Sequence, residues 1–208
     1  MRYLGGKSRI AGKIAPYLLR HERHTYLEPF VAGLAVAERV APHFDKAYLS
    51  DIQPDVIMLY TGLQDGTFTP PAEVTREQWQ DLRHAEPSAL RAFAGYGVSF
   101  GGAWFRSYAA NDPRNNYVSH TTNSLARAKK RGVFDDHVNF SCRSFFDIDP
   151  ADYLPGTVVY CDPPYDGREA YDAVDAFDSN AAWEKYAELA AAGLHLSLIH
   201  ISEPTRRR

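Results

Sequence analysis

Cysteine is scarce in this chain, and features that would indicate a metal centre or a membrane protein are missing. Only two cysteines occur among 208 residues, Cys142 and Cys161, and neither has a CxxC or Cys/His ligand spacing. This excludes a zinc ribbon and a disulfide scaffold. The longest apolar runs are far too short to span a membrane, and the N-terminus lacks a signal-peptide pattern. We therefore expect a cytoplasmic protein without a bound metal or a membrane contact.

An excess of basic charge is also missing. The formal net charge is −3, so the chain as a whole gives no electrostatic argument for nucleic-acid binding, and any DNA-binding surface must be local. The run Gly5-Gly6-Lys7 lacks the spacing of a phosphate-binding loop. We therefore reject an NTPase.

What the chain does contain is an alternation of short apolar runs and helical patterns. Strands are predicted at residues 26–30, 47–50, 138–142 and 157–161, and helices at 8–19 (with Ser8 as N-cap) and 31–44. A further helix has Pro54 in its first turn, continues through residues 56–63 and ends at Gly66. This rhythm is typical of a parallel sheet with crossover helices. We therefore predict an α/β fold with a Rossmann-like sheet.

The middle of the chain breaks this rhythm. Thr75 and Gln78 have the spacing of a helix capping box, residues 95–116 are rich in Gly, Tyr and Asn, and a basic helix at 124–131 ends at Gly132. We predict that residues 1–66 and 136–195 form the sheet domain and that residues 67–135 are a helical insertion.

The strongest chemical motif ends the last predicted strand and consists of Asp162, Pro163, Pro164 and Tyr165. Ligands of open α/β sheets bind at the carboxyl ends of the strands, so these residues are expected to face a cleft. Asp162 and the carbonyl groups beside the prolines can accept hydrogen bonds, and Tyr165 offers a ring for stacking. This combination suits the exocyclic amino group of a flipped-out base. The alternative is a rigid surface turn, since Pro-Pro is common in loops.

Two earlier strand ends suggest a cofactor site. Residues 28–33 follow the first strand, where a cofactor binds beneath a helix N-terminus, and Asp51 ends the second strand, where a carboxylate can accept hydrogen bonds from ribose hydroxyls. An aspartate in such a position is also a common helix cap.

Four separated segments, RYLGGKSRI, YLEPFVAGLAV, LSDIQPDVIMLY and YCDPPY, occur in the order found in Dam-type adenine-specific DNA methyltransferases, including their phage-borne relatives. The chain resembles this family over residues 1 to about 190. The resemblance implies a class I methyltransferase sheet with a helical target-recognition insertion. It also implies methyl transfer from S-adenosylmethionine to N6 of adenine in double-stranded DNA by a monomer.

The resemblance also implies roles for individual residues. Asp162, Pro163, Pro164 and Tyr165 would be catalytic, and the cofactor would be bound by Tyr3, Gly6, Lys7, Glu28, Pro29, Phe30, Gly33, Asp51 and Asp162. Ala32 and Leu34 replace glycines that usually flank this family's loop. We expect Leu34 to crowd the place where the backbone approaches the methionine part of the cofactor.

Basic residues of the insertion are the candidates for DNA contact: Arg106, Arg114, Arg127, Lys129, Lys130 and Arg131. The alternative is that the basic helix is a solvated face, the usual role of a run of charge.

The last segment, LSLIHISEPTRRR at residues 196–208, resembles the translation of an adapter used in sequencing-library preparation. We therefore expect the further strands that the family has after Gly193 to be missing, and this chain to be inactive and only marginally stable. The strand at 157–161 would then have an open edge, on which residues 196–201 could dock by accident. Two alternative functions remain: a cytosine-N4 DNA methyltransferase, and a non-catalytic truncated fragment.

Overall fold

The structure is a computed structural model that describes residues 1–109, 115–164 and 177–198. Five parallel strands form one sheet: β1 (Thr25–Glu28), β2 (Lys46–Asp51), β3 (Val138–Cys142), β4 (Val158–Cys161) and β5 (His195–Leu198). Their spatial order is β3-β2-β1-β4-β5. The predicted α/β fold with a parallel sheet is confirmed, and the four strands predicted from the sequence are all present within a few residues.

Both faces of the sheet are buried, as a parallel sheet requires. Tyr26 and Val158 pack into one hydrophobic cluster, while their chain neighbours Leu27 and Val159 pack into a second. Successive strand residues point to opposite faces, so this division follows from the strand period of two. Tyr26 is also aligned with Val158 in the β1–β4 ladder, which fixes the relative level of the strand ends.

Seven α-helices lie in the described part of the chain: α1 (Ala11–Leu18), α2 (Ala37–Val40), α3 (Pro54–Asp65), α4 (Arg76–Arg83), α5 (Ala89–Ala92), α6 (Tyr117–Lys130) and α7 (Ser179–Ala191). The prediction of Ser8 as an N-cap is wrong, because α1 begins at Ala11 without a side-chain cap. The carbonyl oxygen of Lys7 instead accepts hydrogen bonds from the backbone N–H groups of Ile10 and Ala11.

The predicted helix at residues 31–44 is also wrong in its first part. Residues 31–36 form a loop, and regular helix is confined to α2 and a following 3-10 turn at Ala41–His43. The N–H of Val31 is bonded to the carbonyl oxygen of Ser50, and the N–H of Ala32 to the carboxylate of Asp51. These bonds to the end of β2 hold the segment as a loop.

The region between α3 and β3 contains α4, α5, a π-helix at Phe93–Gly97, a 3-10 turn at Phe100–Gly102 and α6. The predicted capping box is present, with the Thr75 and Gln78 side chains each bonded to the other's backbone N–H. Phe93 and Phe105 pack into the same cluster as Tyr26 of β1. This helical region therefore shares a core with the sheet.

The edge of β4 is covered by β5, with Val158 aligned with His195 and Cys161 with Leu198. The expected open edge at residues 157–161 is thus absent from the described structure, and residues 196–198 dock there as anticipated. Residues 199–208 lie outside the described residues. No helix in the described ranges is long and apolar enough to cross a membrane.

Candidate active site

Three carboxylates meet at the carboxyl edge of the sheet. Glu28 ends β1, Asp51 ends β2, and Asp162 directly follows β4. These strands are neighbours in the parallel sheet. Ligand sites of open α/β sheets lie at this edge, so three acidic groups here mark the candidate site.

Asp162 is bonded to a lysine from the other end of the chain. Lys7 Nζ lies 2.6 Å from Asp162 Oδ1, and the two side chains are only 12% and 14% exposed. The same ammonium donates to the carbonyl oxygen of Gly5 at 3.1 Å. Among the described residues, Oδ2 of Asp162 has no hydrogen-bond partner. One carboxylate oxygen is therefore held and the other is available to a ligand.

The charge state of Asp162 reflects two opposed influences. Burial raises the pKa of its carboxyl group above the usual value, while the hydrogen bond and the positive charge of Lys7 lower it. Burial disfavours the ionised form and a neighbouring cation favours it. Lys7 therefore favours the ionised form of Asp162, which accepts hydrogen bonds.

Glu28 is buried beside Asp162, and its described hydrogen-bond partner is a neutral hydroxyl group. Its Oε2 accepts a hydrogen bond of 2.6 Å from the hydroxyl group of Tyr26. Burial raises the pKa of Glu28 well above its usual value, the Tyr26 hydrogen bond lowers it, and the charges of Asp162 and Asp51 raise it further. Protonation of Glu28 removes a negative charge from beside Asp162.

Asp51 holds the loop at residues 31–34 against the end of β2. Its Oδ2 accepts from the N–H of Ala32 at 2.9 Å and its Oδ1 from the N–H of Gln53 at 3.0 Å. The hydroxyl group of Tyr60 donates to the carbonyl oxygen of Ala32. The alternative that Asp51 is a helix cap is wrong, because the N-cap of α3 is Gln53 and has no side-chain cap bond. Asp51 instead closes a local turn with Gln53, and its bond to Ala32 adds a tether that the sequence did not indicate.

Ala32 and Leu34 adopt left-handed backbone, with φ of 43° and 64°. Non-glycine residues rarely do so, and such strain is commonly found at functional sites. The expectation that Leu34 crowds the cofactor loop is wrong, because its side chain is 1% exposed and packs in the core. Glycine is needed between them: a Cβ atom on Gly33 would lie 2.9 Å from the carbonyl oxygen of Met1.

The N-terminal segment, residues 1–7, lies between this loop and the helical region. The rings of Tyr3 and Tyr96 stack at 4.4 Å, and Leu4 N–H donates to the carbonyl oxygen of Gly102 at 3.0 Å. Gly6 closes a turn by donating to the carbonyl oxygen of Tyr3. Tyr96 was missed in the sequence because a tyrosine in a Gly- and Tyr-rich stretch carries no spacing that links it to Tyr3.

Pro29 is buried, and the half-buried ring of Phe30 packs between Phe145 and Phe177. Pro163 and Pro164 are half-buried and continue from Asp162, whereas Tyr165 lies outside the described residues. Another residue missed in the sequence is Ile52, which is 49% exposed directly after Asp51. The sequence signal that could have identified Ile52 is its position directly after an acidic residue at the end of a strand.

The basic residues predicted to contact DNA fall into two groups. Arg131 and Arg127 contact the carboxylate of Glu38 in α2, at 2.8 Å and 3.7 Å. The other cations described here, Arg106, Lys129 and Lys130, are exposed, and Arg114 lies outside the described residues. Two of the predicted DNA contacts thus form ion pairs that hold α6 against α2.

Within the described ranges, no group of three His, Cys, Asp or Glu side chains could hold a metal ion.

Comparison with known proteins gives one family. The model described as D12 class N6 adenine-specific DNA methyltransferase matches residues 3–92 and 103–197. Among solved structures, the chain is similar to the rRNA methyltransferase AviRa from Streptomyces viridochromogenes, with 13% identity and a TM-score of 0.45 over 95% of this chain and 75% of that chain. No curated protein matches the chain.

Proposed function

The chain belongs to the D12 class N6 adenine-specific DNA methyltransferase family, and from that premise we propose how its residues carry out the reaction. It is an enzyme that methylates N6 of adenine in DNA and uses S-adenosylmethionine. The observation that carries the proposal is the carboxylate of Asp162, which is held by Lys7 through Oδ1 and has Oδ2 available at the carboxyl edge of the sheet.

In this proposal Asp162 Oδ2 and the carbonyl oxygen of Pro163 accept the two amino hydrogens of an adenine that has left the duplex. Pro163 and Pro164 lack N–H groups, so the turn is stiff and does not satisfy those acceptors locally. Two acceptors draw the amino nitrogen toward pyramidal geometry and direct its lone pair away from the ring. Tyr165 stacks on the base. Positioning and electrostatics supply most of the acceleration.

The residues at the ends of β1 and β2 fit the cofactor. When bound, S-adenosylmethionine supplies an electrophilic methyl group on a sulfonium centre. Both oxygens of Asp51 accept backbone N–H groups, and a carboxylate has lone-pair sites left for a ribose hydroxyl. Ile52, half-exposed beside it, offers an apolar face to a purine ring. We propose that the remaining contacts come from Tyr3, Gly6, Lys7, Glu28, Pro29, Phe30 and Gly33.

We propose that the helical region at residues 67–135 is the target-recognition part and that the substrate is double-stranded DNA bound by a monomer. The exposed cations Arg106, Lys129 and Lys130 support this, since they can contact phosphates without breaking an ion pair described here. Arg127 and Arg131 take part only if their contacts with Glu38 open.

The test is to incubate the purified chain with isotopically labelled S-adenosylmethionine and duplex DNA, hydrolyse the DNA and identify the labelled nucleoside by mass spectrometry. Because β5 covers the strand edge whose exposure led us to expect an inactive chain, we now expect N6-methyladenine from the wild type. The control variant Asp136→Asn, which changes an exposed aspartate, should give the same product. Asp162→Asn should give almost none. Label in N4-methylcytosine, or full activity of Asp162→Asn, would overturn the proposal.

A further inference from the structure

The contact between Lys7 and Asp162 joins residues that are 155 positions apart in the sequence. Its length of 2.6 Å and the low exposure of both side chains indicate a strong, charge-assisted hydrogen bond. Such a bond restricts the rotation of the Asp162 side chain. The direction in which Oδ2 points therefore depends on Lys7.

The side chain of Lys7 extends from a backbone that is held by hydrogen bonds. Its carbonyl oxygen accepts from the N–H groups of Ile10 and Ala11, at 2.9 Å and 2.8 Å, in the turn that leads into α1. The preceding residues are tied to the helical region through Leu4 and Gly102. A lysine side chain loses much conformational freedom when it is held in one place. Anchoring of its backbone reduces the number of positions that the ammonium group can reach.

The other titratable groups that face Asp162 do not replace the ammonium. They are Glu28 of β1, Cys161 of β4 and Tyr186 of α7. Burial raises the pKa of each of these three groups, which favours their neutral forms. Of the charged groups described around Asp162, Lys7 is the cation that opposes its protonation.

We propose that Lys7 is a positioning residue for the methyl-transfer reaction: its ammonium group holds Oδ1 of Asp162, so that Oδ2 is presented as an ionised acceptor to the amino group of the target adenine. This inference rests on the proposed role of Asp162. It gives Lys7 a function that acts through Asp162, distinct from the direct cofactor contact implied by the family resemblance. A protonated carboxyl group would offer a donor in place of one acceptor.

The test is the pH dependence of kcat for the full chain at saturating cofactor and DNA. Activity should rise with pH as Asp162 ionises, and loss of the cation should move this rise to higher pH by about one to two units. Lys7→Met and Lys7→Gln should therefore lose far more activity at about pH 6 than at about pH 9. Lys7→Arg keeps the charge and should retain the wild-type profile. Lys13→Met, which changes an exposed lysine of α1, is the control.

Cofactor affinity, measured by calorimetry at each pH, separates the alternatives. A loss of activity that is equal at every pH, accompanied by weaker cofactor binding, would overturn the inference and leave Lys7 with the proposed cofactor contact alone. Unchanged profiles in both neutral variants would also overturn it. Failure of the wild type to methylate adenine would instead remove the proposed function, so the two failures are distinguishable.

Discussion

Among the residues that the structure describes, the two best-buried aspartate–cation pairs differ in how completely the carboxylate is satisfied. Asp55 of α3, whose side chain is 1% exposed, accepts from Ser88 N–H through Oδ1 and from Arg91 through Oδ2. Asp162, at the carboxyl edge of the sheet, is bonded to Lys7 through Oδ1 alone. The first pair joins α3 to the helical region, and the second lies where a substrate can reach it.

The difference separates a structural pair from a functional one. A buried carboxylate with both oxygens bonded has little left to offer a ligand, and removal of its partner leaves an uncompensated charge. A buried carboxylate with one open oxygen is incomplete until something else binds. The carboxyl edge also contains the strained Ala32 and the buried carboxyl group of Glu28, whose described hydrogen-bond partner is the hydroxyl group of Tyr26. Open hydrogen-bonding capacity is therefore found in the Asp162 pair at the carboxyl edge, whereas both carboxylate oxygens of the Asp55 pair are bonded.

Among the ion-pair variants, the largest stability effect is expected at the interface. Arg91→Met should lower the free energy of unfolding by about 3 kcal/mol, because it leaves Asp55 buried with a single backbone donor. Urea denaturation measures this, with Arg83→Met, an exposed arginine of the neighbouring helix, as the control. Lys7→Met should cost less, since Asp162 lies nearer to solvent and can take up a proton. An equal or greater loss of unfolding free energy in Lys7→Met would contradict the distinction between the two pairs.

The same distinction between engaged and open groups applies to the cations of α6. Lys129→Gln combined with Lys130→Gln should make the salt dependence of DNA affinity shallower by about 2 in the log–log slope, since two fewer counterions are released. Arg127→Gln combined with Arg131→Gln should leave the slope unchanged and lower stability instead, because Glu38 loses its partners. A shallower salt dependence of DNA affinity in the arginine variant would show that those two arginines contact DNA.

The smallest effect concerns backbone strain at the carboxyl edge. Ala32→Gly should raise the free energy of unfolding by less than about 1 kcal/mol, because relief of the left-handed backbone slightly exceeds the entropy that glycine adds to the unfolded chain. Leu34→Gly should instead lower it by about 3 kcal/mol, since a core side chain is lost. Thermal melts measure both, and a destabilised Ala32→Gly would show that this loop is not strained.

The sequence predicted the sheet well because its strands are short apolar runs with clear ends. Residues 26–30, 47–50, 138–142 and 157–161 all correspond to observed strands. The carboxylates at the strand ends could be predicted for the same reason, since parallel strands place their ends at one edge.

What the sequence could not predict depends on contacts between distant segments. Residues 31–36 have a helical pattern, but hydrogen bonds to Ser50 and Asp51 hold them as a loop. The pairing of Lys7 with Asp162 and the stacking of Tyr3 on Tyr96 likewise join segments that no local spacing connects. For the same reason, the ion pair between Arg131 and Glu38 cannot be inferred from a run of basic residues.

The most direct test of the central claim is the single-turnover rate of methyl transfer to DNA adenine by Asp162→Asn at saturating cofactor and DNA. The asparagine keeps the size of the side chain and can present its NH2 group where an acceptor is needed. We predict that the rate falls by at least about 100-fold, while cofactor affinity stays within about threefold of the wild type and thermal stability is retained. A rate close to that of the wild type would contradict the assignment of the open oxygen of Asp162 as the acceptor for the target amino group.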